Sequence, residues 1–282
     1  MPEIDLDHLK TWEGNQETQE DDITLFPARA LAAALDHDRL PEKGDELPTF
    51  WEWLYFLPTP KASATGADGH PSKGGFLPPV PLPRRMWAAG EAEIHKPLII
   101  GEPASRTSTI LSVDLKQGST GTLVFVNVKH DISQKGSLCI SQIQNIVYRE
   151  QPAEAAPLPR GKEPSVSPLW SKTIKADPVL LFRFSALTYN GHRIHYDRPY
   201  STDEELYPAL VVHGPLLVTL LLDLKQSRAP DQTIRKFTFR ALRPTFDVNP
   251  FQVQGVLEGK NLQLWSVDNE NALCMKLDAE IA

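Results

Sequence analysis

The chain is poor in several things that would otherwise define its class. Its 282 residues hold two cysteines, Cys139 and Cys274, each set in alternating apolar sequence. That is too few for a disulfide framework, and they lack the paired spacing of a zinc site, so both read as buried, reduced thiols. The N-terminal stretch MPEIDLDHLK is acidic and has no apolar signal region. The longest apolar run is interrupted by His213 and Asp223 within about 15 residues, short of the roughly 20 that a membrane span needs. Positive charge is also scarce. With 29 Lys and Arg against 36 Asp and Glu, the net charge is -7. That disfavours general binding of nucleic acid or anionic membranes, while leaving room for a local basic pocket around one phosphorylated ligand. No histidine stands at a metal-ligating spacing with carboxylates, so neither a metal nor another cofactor is expected. These absences together predict a soluble, cytoplasmic protein.

A hydrophobic content of 41% over 282 residues supplies one large core or two medium ones. Two units of similar size are expected, 1–150 and 169–282, joined by a linker at 151–168 that is rich in Pro, Ala and charge. Thr24 is a candidate N-cap for a helix to about His37, with Ala28, Leu31, Ala32 and Leu35 on its apolar face. Phe50 to Leu57 reads as an aromatic-rich extended run. Pro58 to Pro83 then reads as a long excursion, partly ordered over a ligand. Thr107 to Leu115, Thr122 to Asp131 and Leu138 to Arg149 are β-rich runs separated by KQGSTG and SQKGS turns, the pattern of an antiparallel meander. Helix and then strands recurs in the second half, where TIRKFTFRALRP, PFQVQGVLEGKNLQLWSVDN and NALCMKLDAEI come after a helix. A repeated α+β unit is the expectation.

The second half centres on Phe182 to Gln226. Val179 to Leu187 reads as a strand that breaks at Asn190-Gly191 into a short segment carrying His192, Arg193, His195 and Asp197. A helix of about a dozen residues then begins at Gly214, with Pro215 in the first turn, where a missing N–H costs nothing. Leu216, Leu217, Val218, Leu220, Leu221, Leu222 and Leu224 leave Thr219 and Asp223 as its polar members. Such a helix must be wrapped on most sides, as by a curled sheet.

The string YNGHRIHYD followed by VVHGPLLVTLLLDL resembles the hydratase motif and central helix of MaoC-like hot-dog proteins, the (R)-specific enoyl-CoA hydratases. Their common pattern is D-x-N-P-x-H-x-D. Asn190, His192, Arg193, His195 and Asp197 fall on its D, N, P, H and D, so the last two match and the first three depart. The wider string from FRFSALTYNGHRIHYD to the helix, with FLPPVPLPRRMWAAGEAEIHKPL and WEGNQETQEDDIT, resembles the bacterial itaconyl-CoA or mesaconyl-CoA hydratase branch over most of the chain. The resemblance implies an α+β double hot dog, two antiparallel sheets side by side, each wrapping a central helix. It also implies reversible addition of water across the α,β double bond of a short, branched dicarboxylic acyl-CoA. An acyl-CoA partner is implied with it, and a monomer and a homodimer are both compatible.

On that reading His195 is the base, since imidazole is matched to taking a proton from water near neutral pH, and one essential ionisation in the ordinary histidine range is expected. Gly214 opens a helix whose first N–H groups and positive dipole end would polarise the thioester carbonyl. Asn190 stands where the common motif has an aspartate, and an amide can orient water but cannot accept a proton at pH 7. Arg193, with His192 and Tyr189 beside it, could receive a substrate carboxylate, a CoA phosphate or an acidic neighbour of the chain. His213 reads more readily as a packing residue. Arg84 and Arg85, and more weakly Arg240 and Arg243, are candidates for phosphate contacts. Trp51, Trp53, Tyr55 and Trp87 could line an acyl pocket from the N-terminal half. Since nothing in 36–53 matches the NGHRIH segment, one site per chain is expected. Two other classes stay open: a thioesterase, which needs a carboxylate to direct water at the carbonyl, and a non-catalytic acyl-CoA sensor, favoured by the loss of the motif's aspartate.

Overall fold

The computed structural model describes residues 4–282 apart from 119–120, 153, 156 and 159. The first three residues of the acidic N-terminal stretch, two of the KQGSTG turn and three of the expected linker therefore lie outside the described residues. In chain order come α1 (Leu6–Lys10), β1 (Gln16–Asp22), α2 (Leu25–Ala34), β2 (Arg84–Ile94), β3 (Pro103–Gly118), β4 (Gly121–Gln134) and β5 (Ser137–Arg149). The second half holds β6 (Trp170–Ile174), α3 (Pro178–Leu187), α4 (Gly214–Arg228), β7 (Ile234–Ala241), β8 (Phe251–Glu258), β9 (Asn261–Val267) and β10 (Leu273–Ile281).

The strands form a double hot dog whose two expected sheets are fused into one, in the order β1-β3-β4-β5-β2-β7-β10-β9-β8-β6. The seam is the antiparallel pairing of β2 with β7, from Ala89 opposite Arg240 to Glu93 opposite Lys236. Alternation along β4, where every second residue from Val124 to Gln134 is buried, shows one face turned to the core. One hydrophobic cluster runs through both halves, and a smaller one around Ile110, Val113, Val126 and Tyr148 lies in the N-terminal half alone.

Helix α4 packs against β6, β8, β9 and β10, and its apolar residues are all buried. The two polar residues within its apolar stretch, Thr219 and Asp223, are satisfied. Thr219 Oγ1 donates to the Pro215 carbonyl (2.9 Å), and Asp223 meets His37 Nε2 (2.6 Å) and Lys172 Nζ (3.5 Å). The His37 contact ties the segment after α2 to α4. Helix α2 starts after Thr24 as expected but stops at Ala34, and it contributes Ala28, Leu31 and Ala32 to the shared cluster.

Two expectations are corrected. Val179–Leu187 is helix α3, not a strand. Asp177 Oδ1 accepts from the amides of Val179 (3.1 Å) and Leu180 (3.0 Å), Pro178 occupies the first turn, and Leu181, Phe184 and Ser185 bury one face at helical spacing. Phe50–Leu57 is not extended either. It is a 3-10 turn, Trp51–Leu54, entered through Phe50 at φ 75°. A left-handed backbone at a bulky residue costs of order 1–2 kcal/mol, offset by burial of the Phe50 ring among Trp53, Trp87, Phe237 and Phe239. Both cysteines are free and buried. Among the described residues no helix is long and apolar enough to cross a membrane.

Candidate active site

A cavity of about 1780 Å³ opens between the two halves. Helix α3 ends at Leu187, and Tyr189 reverses the chain in a left-handed conformation at φ 47°. The Asn190 amide then closes the turn on the Ser185 carbonyl (2.8 Å). The chain continues into the 3-10 turn Arg193–His195, which leads His195 to the cavity wall beside the start of α4.

His195 is buried, and its Nδ1 lies 2.6 Å from the Val211 carbonyl. A carbonyl only accepts, so Nδ1 carries the hydrogen and Nε2 keeps its lone pair. Burial pushes its pKa down to about 4, with the Val211 bond opposing. The imidazole is therefore neutral at pH 7 and able to act as a base, and the ionisation expected in the ordinary histidine range falls below it. His213 stacks under the ring at 3.7 Å and is fixed by its Nε2 against Ser185 Oγ (2.8 Å). It is fully buried and does not line the cavity, which agrees with packing.

The remaining predicted residues divide sharply. Asn190 lines the cavity, but its Oδ1 accepts from the His192 amide (3.0 Å), so its carbonyl shapes the turn. Tyr189 is an exposed residue at the cavity rim. Arg193 does not face the cavity. Its guanidinium pairs with Asp197 (2.8 Å), donates to the Ala67 carbonyl (3.0 Å) and lies over the Tyr200 ring. The open alternative at Arg193 thus resolves to an acidic neighbour, and the motif's closing Asp197 serves that pair. Arg84 is likewise committed, to Glu205 (2.8 Å) and Gln151 (2.7 Å), which removes it as a phosphate contact. Arg243 pairs with Asp268 (3.1 Å) and Glu270 (3.6 Å). Arg85 lines the cavity with no carboxylate in ion-pair contact among the described residues, and its charge adds to the burial that lowers the pKa of His70, His192 and Lys73. Trp53, Tyr55 and Trp87 line the cavity, whereas Trp51 is buried against His37.

Gly214 belongs here for two reasons. The first-turn amides of α4, Gly214 and Leu216, precede any intrahelical acceptor and point from the positive end of the helix. A Cβ on Gly214 would also stand 2.8 Å from the Trp87 ring, so glycine lets the N-terminal half close on this helix end.

Sequence reading missed what the N-terminal loop brings. Asp68 and His70 line the same cavity. Asp68 Oδ2 bonds His70 Nδ1 (2.9 Å), Asp68 Oδ1 accepts from the His70 amide (3.0 Å), and the His70 ring lies 4.1 Å from that of His192. The loop is locked onto the motif. The Arg193 amide donates to the Asp68 carbonyl (2.9 Å), and Gly69, at φ 88°, approaches Gly191 so closely that any Cβ would overlap the Gly191 carbonyl. Burial lowers the pKa of His70 and His192, leaving both neutral. For Asp68, burial acts upward but hydrogen bonds from His70 outweigh it, and the carboxylate stays ionised. Donor atoms of Asp68, His70 and His192 fall within 4.8 Å of one another. A cation could be accommodated there, but Asp68 and His70 are already bonded to each other and no ligand role is assigned to them. The other missed residue is Glu52, a buried, cavity-lining carboxyl with neither oxygen hydrogen-bonded. Its only sequence signal is a charge between two tryptophans.

The family model of hydroxyacyl-thioester dehydratase type 2 matches residues 50–247. A mesaconyl-C(4)-CoA hydratase of Chloroflexus aurantiacus is 44% identical over 272 residues, 96% of each chain. Among solved structures, a MaoC-like dehydratase of Phytophthora capsici superposes with a TM-score of 0.71 at 14% identity, over 99% of this chain and 98% of that one. A Mycobacterium tuberculosis protein described as a double hot dog does so at 0.56 and 11%, over 96% of each. At these identities the two structures speak for the fold alone.

Proposed function

The chain belongs to the hydroxyacyl-thioester dehydratase type 2 family, hydro-lyases acting on acyl thioesters, and from that premise we propose that it hydrates a short, branched dicarboxylic enoyl-CoA, mesaconyl-CoA before itaconyl-CoA. The observation that carries the reading is His195, neutral, pinned through Nδ1 to Val211 and presenting Nε2 to the cavity beside the start of α4. Water oxygen adds to the β-carbon while its proton passes to His195 Nε2. The enolate that forms is held by the first-turn amides of α4, and protonation at the α-carbon completes the addition. Arg85, a cavity arginine without a carboxylate in ion-pair contact among the described residues and with its charge felt by His70 and His192, takes the acyl carboxylate in place of Arg193. The relative named for mesaconyl-C(4)-CoA supports the choice of acyl group. One site per chain, in the cytoplasm, completes the proposal.

A thioesterase is the second reading, favoured by Glu52, a carboxyl in the cavity wall that could direct water at the carbonyl. Incubation with mesaconyl-, itaconyl- and crotonyl-CoA separates the two. Loss of the conjugated-thioester absorbance without release of free thiol supports the hydratase. Thiol release at the same rate overturns it, and binding without either signal marks a sensor.

A further inference from the structure

The common motif carries its own carboxylate, and here that place is held by an amide whose oxygen caps the His192 backbone. Three observations locate a substitute in the other half of the molecule. The Asp68 carboxylate and the His70 imidazole are bonded side chain to side chain at 2.9 Å, with the His70 amide holding the second carboxylate oxygen. His70, His192 and His195 then form a continuous row, with ring centroids 4.1 Å and 5.4 Å apart. Donor atoms of the Asp68, His70 and His192 side chains lie within 4.8 Å, within reach through one bridging water. All four residues line the cavity. The contacts of Gly69 with Gly191 and of Arg193 with Ala67 and Asp68 fix this loop against the motif, so the row does not depend on a freely moving segment.

We propose that Asp68 and His70 are the second acid–base unit of the hydration, coupled to His195 through His192. The inference rests on the hydratase reading above. As the C–O bond forms at the β-carbon, the O–H bond of water breaks and its proton goes to His195 Nε2. His192 accepts that proton on one ring nitrogen and releases the other nitrogen's proton to His70, whose imidazolium faces the Asp68 carboxylate. The π electrons of the double bond meanwhile reside on the enolate. The row returns one proton to the α-carbon through His195, and every imidazole is neutral again. Asp68 supplies the negative charge that a buried imidazolium needs and that Asn190 cannot provide.

His70→Ala and Asp68→Asn test this in the full-length protein with mesaconyl-CoA. Each variant is expected to lose about 100-fold or more in kcat, with KM within a few-fold and an unchanged melting temperature. Free imidazole at millimolar concentration should restore at least tenfold to His70→Ala and leave the wild type unaffected. Turnover within about threefold of wild type in both folded variants overturns the inference. So does a folded, inactive His70→Ala that imidazole does not rescue. Should His70→Ala fail to fold, Asp68→Asn decides, because the main-chain carbonyl that holds Arg193 is retained. A wild type inert on every enoyl-CoA removes the hydratase reading itself, whereas an active wild type with unimpaired variants removes only the coupling.

Discussion

Each half of the fused sheet contributes five strands, yet the two use the space inside the curl differently. In the C-terminal half the 15 residues of α4 fill it, and the segment carrying His195 hangs at that helix's start. In the N-terminal half α2 is only ten residues long. The remaining volume is taken by the Trp51–Leu54 turn with its aromatic group and by the end of the 58–83 excursion, whose Val80 and Leu82 are buried with Ile110, Val113 and Tyr148. On the proposed reading the C-terminal half delivers function from a secondary-structure terminus, the N-terminal half from loops pinned to its partner. Covalent fusion relaxes the demand that both halves be complete sites, so one can keep the base while the other supplies charge and walls.

The largest expected effect tests that division directly. His195→Ala should lower kcat by two orders of magnitude or more without unfolding the protein, whereas His37→Ala, just beyond the N-terminal helix, should stay within a few-fold of wild type. Comparable losses in both would mean that the halves are functionally equivalent. The pH profile sharpens the point. Burial favours neutral His195 and the neutral form is the active base, so kcat/KM should stay level from pH 7 to about 5 and fall as the pH drops through about 4. A fall centred near 6.5 would place the essential group elsewhere.

Arg85 and Arg193 extend the same comparison to recognition. Arg85→Gln, in the N-terminal half, should cost mesaconyl-CoA about 10- to 150-fold more than crotonyl-CoA, as for a charge-assisted hydrogen bond of roughly 1.5–3 kcal/mol. Arg193→Ala should reduce both substrates alike and lower the melting temperature, because its partners are Asp197 and the Ala67 carbonyl. The reverse pattern would return the acyl carboxylate to Arg193.

Legibility in the sequence divides along the same line between helix and loop. The α4 run and its glycine start are readable because an apolar helix has one way to be satisfied, wrapped by a sheet. The β-meander is readable from alternation. Helix α3 is misread because FRFSAL alternates like a strand, and the signal that overrides it, Asp177 capping a turn that begins with Pro178, lies just outside the run. Arg193 looks available because an i,i+4 pair with Asp197 needs a turn that the letters NGHRIHYD do not reveal. Asp68 and His70 are invisible for a more general reason. They stand over a hundred residues from His192, in Gly- and Pro-rich sequence without periodicity, and tertiary contacts, Gly69 against Gly191 and Arg193 to the Ala67 and Asp68 carbonyls, bring them together.

The smallest expected effect falls on stability and concerns Glu52, the charge in the N-terminal wall. Burial raises its carboxyl pKa from 4.5 to about 7, partly opposed by the dipoles of the Glu52 and Phe50 backbone amides, which face it without forming a hydrogen bond. The folded chain thus holds this proton more tightly than the unfolded chain does. Between pH 4.5 and 7 the native state binds more protons, so this group's contribution is fully present below 4.5 and declines as the pH rises through 7. Glu52→Gln cannot ionise and should escape the decline. Its melting temperature should match wild type near pH 4.5 and exceed it by pH 8, with a stability gap of up to about 3 kcal/mol, while hydration continues. Thermal melts of both proteins across that range give the answer. A gap that does not widen with pH would mean that the carboxylate has a cationic partner in the cavity. That would make the N-terminal wall a second charged contributor to the site alongside Asp68, and narrow the difference between the halves to the position of the base.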